Sequence, residues 1–348
     1  MRPDVAVAFD ARFRDHEGPM GHPERPERLA AVQAAIAERR EALGRLEPRP
    51  ATPEEILRVH GREHLERVAE AARRAPTQLD PDTYVSRESY DVALLAAGAS
   101  IDLARGVASG QWRAGLAAVR PPGHHAEPGR PMGFCLFNNV AIAARALRAE
   151  SGVERILVFD FDVHHGNGTQ HSFDEDPNLL YASTHQFPFY PGTGGFGEAG
   201  CGKGLGATLN IPMPAGCGDL EYLGVLQRLL LPAARSFRPE LLLVSCGFDA
   251  HRDDPLGSME LSEQGFRGIA ALLRAAADEL CGGRLACVLE GGYAQTGLRE
   301  GTRALLDALL TRVPLPPSAE LEAGSPLGRV VAGVVAVHGD RIPGLGAL

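Results

Sequence analysis

Asp162 and His164 stand two residues apart in the string Asp160-Phe161-Asp162-Val163-His164-His165-Gly166-Asn167-Gly168-Thr169. In an extended chain such residues leave the same face, so a carboxylate and an imidazole can reach one ion. Asp249, in Gly247-Phe248-Asp249, supplies a third donor. Two oxygens and one nitrogen with an open position form the ligand set of catalytic rather than structural zinc. Structural zinc prefers paired cysteines, and the six here (Cys135, Cys201, Cys217, Cys246, Cys281 and Cys287) show no CxxC spacing. Carboxylate-rich ligation also suits iron or manganese, so ligand type leaves the metal open. In any of these cases the ion would polarise a carbonyl and bring the pKa of a water to about 7.

Other groups could complete a hydrolase. Pro121-Pro122-Gly123 leads into His124 and His125, and a loop can present both rings where a strand could present only one. One of them can take a proton from water and deliver one to a leaving amine. Asp160 shares a face with Asp162 and can hydrogen-bond a histidine from behind, fixing its tautomer. Tyr293 follows two glycines in Glu290-Gly291-Gly292-Tyr293, and its phenol can donate to a developing oxyanion.

These groups need a scaffold that gathers them. Short apolar runs at Val5–Phe9, Leu116–Val119, Ile156–Phe161, Leu179–Ser183, Leu241–Ser245 and Ala286–Leu289 read as strands. Helical patterns cover Glu27–Leu43, Arg62–Arg74, Ser89–Ala108, Asn138–Glu150, Leu220–Ser236, Ser262–Leu280 and Leu298–Arg312. Continuous apolar strands alternating with helices imply an α/β fold on a buried parallel sheet. With His185 after Leu179–Ser183 counted, five polar clusters follow predicted strands directly, at the carboxyl edge where open α/β sheets bind ligands. Long Gly- and Pro-rich segments, 121–133 and 187–206, read as ordered functional loops.

The strings PPGHHA, GFCLFNN, DFDVHHGNGT, PGTG, GFDAH and EGGY, with GHPERPERL at residues 21–29, resemble the histone deacetylase and acetylpolyamine amidohydrolase superfamily. The resemblance runs from about residue 15 to 310 and is closest to class II-like, bacterial-type members. It implies one arginase/deacetylase-like domain over residues 1–348, with an eight-stranded parallel sheet and a tail at 313–348. It implies zinc on Asp162, His164 and Asp249, acid–base work by His124 and His125, and transition-state stabilisation by Tyr293. The Gly133 carbonyl would accept the substrate amide hydrogen, with Phe134 and Tyr190 as opposite tunnel walls. Asp82 falls where relatives grip the substrate backbone. Potassium would sit near Asp160, Asp162, His164 and Ser183. Asn167 stands where class I members carry an aspartate behind the second histidine, which would lower the charge around His125. Leu256 replaces the acidic gatekeeper of some polyamine-selective relatives and so favours acyl-lysine over acetylpolyamine. His16, Glu17 and His22, in the first loop, are candidates to shape the entrance, although His22 before Pro23 could serve only to cap a helix.

The implied activity is zinc-dependent removal of an acetyl or acyl group from the terminal amine of acyl-lysine by metal-activated water. Hydrolysis of an acetylated polyamine or another small amide is the alternative. Composition agrees with a globular enzyme: 44% of residues are hydrophobic and 23% charged. The net charge of −9, with no basic block, argues against a nucleic-acid partner. Unpaired cysteines, no apolar leader and no long apolar run suggest a cytoplasmic protein off the membrane, while the choice between monomer and homodimer stays open.

Overall fold

The computed structural model describes residues 3–317, 321–322 and 324–347. Among the described residues ten strands form in chain order. They are β1 (Val5–Ala8), β2 (Leu43–Leu46), β3 (Thr77–Gln78), β4 (Tyr84–Val85), β5 (Ala114–Ala117), β6 (Ile156–Asp160), β7 (Leu179–Gln186), β8 (Thr208–Met213), β9 (Leu241–Cys246) and β10 (Leu285–Leu289). Eight make one sheet in the order β2-β1-β5-β10-β9-β6-β7-β8, and every pairing in it is parallel. β3 and β4 pair antiparallel beside it. The expected single α/β domain on an eight-stranded parallel sheet is therefore present.

Apolar side chains on both sides of each central strand are buried, which requires helices on both faces. Helices Ser89–Ala108 and Asn139–Glu150 pack together as one layer, and Glu263–Cys281, Gln295–Leu310 and Arg28–Ala37 as another. Ser262 caps its helix through the Gln264 N–H, and Thr52 and Glu55 form a reciprocal capping box, as their spacing predicts.

Three departures from the sequence reading have a clear physical cause. The first long helix stops at Ala37 instead of Leu43, because Leu43–Leu46 pairs with Val5–Ala8 at the sheet edge. β8 was not expected, since Pro212 in Thr208–Met213 argues against an interior strand. The sheet tolerates it there because β8 is an edge strand. The helix expected over Leu220–Ser236 spans Asp219–Phe237 with a π turn at Leu226–Leu230. Pro232 cannot donate to the carbonyl four residues back, and the turn widens just before it. The tail contributes a helix, Pro326–His338, packed against β8.

Candidate metal centre and catalytic cleft

The five strands followed by polar clusters are neighbours in the sheet: β5, β10, β9, β6 and β7. Their loops therefore meet at one edge. Asp162 and His164 follow β6, and Asp249 follows β9, the strand hydrogen-bonded to it. One ligand atom from each lies within 4.8 Å of the others. His164 Nδ1 is 3.2 Å from Asp162 Oδ1 and 3.3 Å from Asp249 Oδ2.

Backbone bonds hold the carboxylates while leaving lone pairs free. Val163 N–H donates to Asp249 Oδ1 at 2.8 Å, and Gly291 N–H donates to Asp162 Oδ2 at 2.8 Å. Asp249 Oδ2 is buried with no hydrogen-bond partner, which an acceptor tolerates only if a cation or donor is supplied. Close approach needs glycine: a Cβ on Gly291 would lie 2.0 Å from Asp249 Oδ2, and one on Gly247 would lie 2.1 Å from Asp162 Oδ2.

The electrostatics call for positive charge. Burial opposes ionisation of Asp162, but His124 and His164 outweigh it and hold the carboxyl well below the usual range. Burial, reinforced by the Asp162 charge, pushes Asp249 up to about 7. Burial also opposes charge on His164, yet the adjacent Asp162 and Asp249 carboxylates raise it to about 10. The cluster thus retains a proton where a divalent ion would neutralise the same carboxylates. Donor set, unpartnered oxygen and charge deficit all fit such an ion.

Beside it the two histidine rings lie 4.0 Å apart. His124 Nδ1 is 2.9 Å from Asp160 Oδ2, and His125 Nδ1 is 2.7 Å from Asn167 Oδ1. Burial disfavours charge on both. For His124 the Asp162 and Asp160 charges overcome it and raise the pKa well above that of free histidine. For His125 the neighbouring His124 and His164 add to burial and push it well below. Glu290 anchors this loop, accepting from Gly123 N–H at 2.6 Å and His124 N–H at 3.1 Å.

A cavity of about 460 Å³ runs from this centre to the surface. Asp82, His125, Gly133, Phe134, His164, Tyr190, Leu256 and Tyr293 all line it, so the sequence-predicted cleft residues are together. Phe134 is held at φ +67°, a conformation uncommon outside glycine, with its ring edge-on to Tyr293 and to His22. Burial and a hydrogen bond to Asp80 push Asp82 at the rim up to about 6. Asp160 and Asn167 stand behind the histidines and outside the cleft lining. Ser183 lies next to Asp160 in sheet register, its hydroxyl 2.9 Å from His185 Nδ1.

His16 does not shape the entrance. It is buried, stacks on Tyr84 and lies 3.7 Å from Glu24. His22 contacts the Glu24 backbone and the Asp82 carbonyl, buttressing Phe134 from outside the cleft.

Several contributors were missed from sequence. Phe189 stacks on His164 at 5.5 Å and lines the cleft beside Tyr190. Arg28 donates to the carbonyls of Gly292 and Glu290, both at 2.6 Å, and its guanidinium lies 4.9 Å from the Tyr293 ring centre. Glu24 binds Arg28 and Arg120, all three buried. Glu24 and Arg28 lie within GHPERPERL, and Arg120 directly precedes the proline pair. A buried charge among them was a readable signal, because charge is buried only when paired.

Comparisons with known proteins agree with this geometry. The profile of the histone deacetylase domain matches residues 22–309. Histone deacetylase 15 of Arabidopsis thaliana is 39% identical over 321 residues, 89% of this chain and 57% of that protein. The chain therefore spans little more than half of that relative. A probable deacetylase of Archaeoglobus fulgidus is 41% identical over 84% of this chain and 82% of its own length. A histone deacetylase-like amidohydrolase of Pseudomonas aeruginosa is 42% identical over 71% of this chain and 65% of its own length. The crystal structure of the HDA15 HD domain superposes with a TM-score of 0.91 at 36% identity, covering 98% of both chains. With the strand-end site, the matched profile and the shared fold in agreement, the chain belongs to the histone deacetylase family.

Proposed function

We propose that this protein is a zinc-dependent amide hydrolase that removes an acetyl or longer acyl group from the side-chain amine of acyl-lysine. One observation carries the reading: His125, Tyr293 and the metal-ligand candidate His164 line a single cavity walled by aromatic and apolar side chains. Such a cleft takes a thin aliphatic arm and brings the amide at its tip to the polar floor.

Asp162, His164 and Asp249 would hold the ion, which supplies Lewis acidity to the carbonyl and acidity to a water. Neutral His125 accepts the proton that the water loses and returns it to the leaving amine, and His124, kept cationic by Asp162 and Asp160, holds charge beside it. Burial raises the Tyr293 phenol well above its ordinary pKa, so it stays protonated and donates to the developing oxyanion. Gly133 and Asp82 orient the substrate, while Phe134, Phe189 and Tyr190 flank the arm. Potassium beside Asp160 and Ser183 is part of the same reading. No helix among the described residues is long and apolar enough to cross a membrane, and we place the activity in the cytoplasm.

A second substrate class has one observation in its favour: Asp82 puts a carboxyl group on the rim, where a cationic polyamine would meet it. Leu256 in the wall favours acyl-lysine, because an apolar side chain gives a second ammonium no partner. Protein of measured metal content, assayed on an acetyl-lysine peptide and on N-acetylputrescine, separates the two. Hydrolysis of neither with zinc, iron or manganese would overturn both.

A further inference from the structure

Asn167 meets His125 through its side-chain oxygen, but a carboxamide can present either end. What decides its orientation is the group on its far side. Asn167 Nδ2 donates to Glu127 Oε1, with only weak contacts to the His125 carbonyl and Met132 Sδ, both at 3.5 Å. An ionised carboxylate only accepts. The Asn167 amino group must therefore face Glu127, which turns its carbonyl oxygen to His125. That oxygen also only accepts, so His125 Nδ1 carries the proton and Nε2 keeps its lone pair. The opposite rotamer would set an amide oxygen against a carboxylate.

Glu127 is itself firmly mounted. Both its carboxylate oxygens lie 2.9 Å from His171 Nδ1. Its backbone N–H donates to Arg130 O at 2.9 Å, and its carbonyl lies 3.0 Å from His60 Nδ1. Burial opposes its charge, but His171 and Asn167 outweigh that and hold the carboxyl below the usual range. A continuous relay results, from buried His125 through Asn167 and Glu127 to His171, whose side chain is 38% exposed. His124 has its carboxylate in direct contact, whereas His125 has one a full side chain further out.

We propose that Glu127 is a positioning residue that dictates the orientation of the Asn167 carboxamide and thereby the reactive tautomer of His125. The proposal rests on the reading of His125 as proton acceptor. It also specifies how the two positions must covary: an aspartate at 167 is compatible with a neutral donor at 127, and not with glutamate.

Four proteins test this: the unsubstituted chain, Glu127→Gln, Asn167→Asp and the double variant. Asn167→Asp sets two carboxylates against each other and should lower kcat about 100-fold with KM within about threefold. Glu127→Gln alone removes the dictating charge and should cost about tenfold in kcat. The double variant should regain about tenfold over Asn167→Asp, because the new amide can donate to the new carboxylate. A double variant at or below the product of the two single losses would overturn the proposal. So would recovery of melting temperature without recovery of kcat, the signature of a merely structural contact. Imidazole ¹⁵N shifts of His125 in zinc-loaded protein read the tautomer whatever the activity. A single Nδ1–H form is expected in the unsubstituted chain and a mixture in Glu127→Gln. Identical shifts in both would sink the idea, whereas the expected shifts with no hydrolysis would retain the relay and reject the assigned reaction.

Discussion

Asp254 Oδ2 accepts the backbone N–H of Tyr293 at 2.6 Å and that of Ala294 at 3.0 Å. Its other oxygen accepts from Leu256 N–H at 3.0 Å, so one carboxylate fixes both the phenol loop and a cleft wall. Asp254 does not line the cleft, and its effect on chemistry is through position. Asp254→Asn leaves one acceptor oxygen and turns an amino group toward either Leu256 N–H or the Tyr293 pair. We expect kcat to fall roughly 10- to 100-fold and KM to change less, since small misplacement of a transition-state group costs rate before affinity. Steady-state kinetics on an acetyl-lysine peptide check this, and an unchanged kcat would show that the loop holds itself.

Tyr293→Phe tests the donor directly. Its aromatic contacts, with Phe134 at 5.8 Å between ring centres and with Arg28, do not involve the hydroxyl. Fold and substrate binding should therefore survive. Loss of one oxyanion donor predicts a fall in kcat of roughly 10²- to 10³-fold. Full retention of activity would assign the stabilising role elsewhere.

Gly291 allows a test of the metal centre that leaves the ligands in place. A Cβ there would lie 2.6 Å from Asp162 Oδ2 as well as 2.0 Å from Asp249 Oδ2, so Gly291→Ala must spread the carboxylates. Zinc should raise the melting temperature of the unsubstituted protein, in line with about 2.7 kcal/mol at a hundredfold excess over Kd. In Gly291→Ala that rise should shrink, and calorimetric titration should show weaker binding. Equal affinity would mean the ion sits away from these oxygens.

The ligands and the cleft were legible because strand-end chemistry is written locally. Asp162 and His164 declare a shared face by spacing, and apolar strands ending in polar clusters declare a common edge. The five strands prove adjacent, a topology that follows from parallel connections more than from any one residue. What stayed hidden depends on partners distant in sequence. Arg28 reaches carbonyls more than 260 positions away, and Glu24 meets Arg120 across 96. Glu127 carries no local signal, and its role depends on Asn167 and His171, both more than 35 positions away. Edge strands β2 and β8 were missed because a helical pattern and a proline masked them locally, while pairing decided the outcome. Phe189 escaped notice beside Tyr190 because neighbouring aromatics on a loop carry no period that assigns a face.

His60 gives a pH prediction away from the metal. Its Nε2 accepts the Asn138 N–H at 2.9 Å and its Nδ1 lies 3.0 Å from the Glu127 carbonyl, so the neutral ring is fully satisfied. Protonation would put a second donor against Asn138 N–H. Burial, with the nearby His64, accordingly pushes His60 down to about 3. An unfolded histidine titrates near 6.5. Below that value the unfolded chain binds a proton that the folded chain refuses, so stability falls with pH from about 6.5 toward 3. Above 6.5 both states are neutral and the contribution is flat. Burial pushes His185 down to about 4 in the same direction, so His60 accounts for only part of the slope. Denaturant unfolding between pH 7.5 and 4.5 should show stability declining, and His60→Gln should reduce the decline by up to about 1.4 kcal/mol for each pH unit below 6.5. Whatever His60→Gln costs at pH 7.5, an identical slope in the two proteins would mean His60 takes up its proton in the folded state.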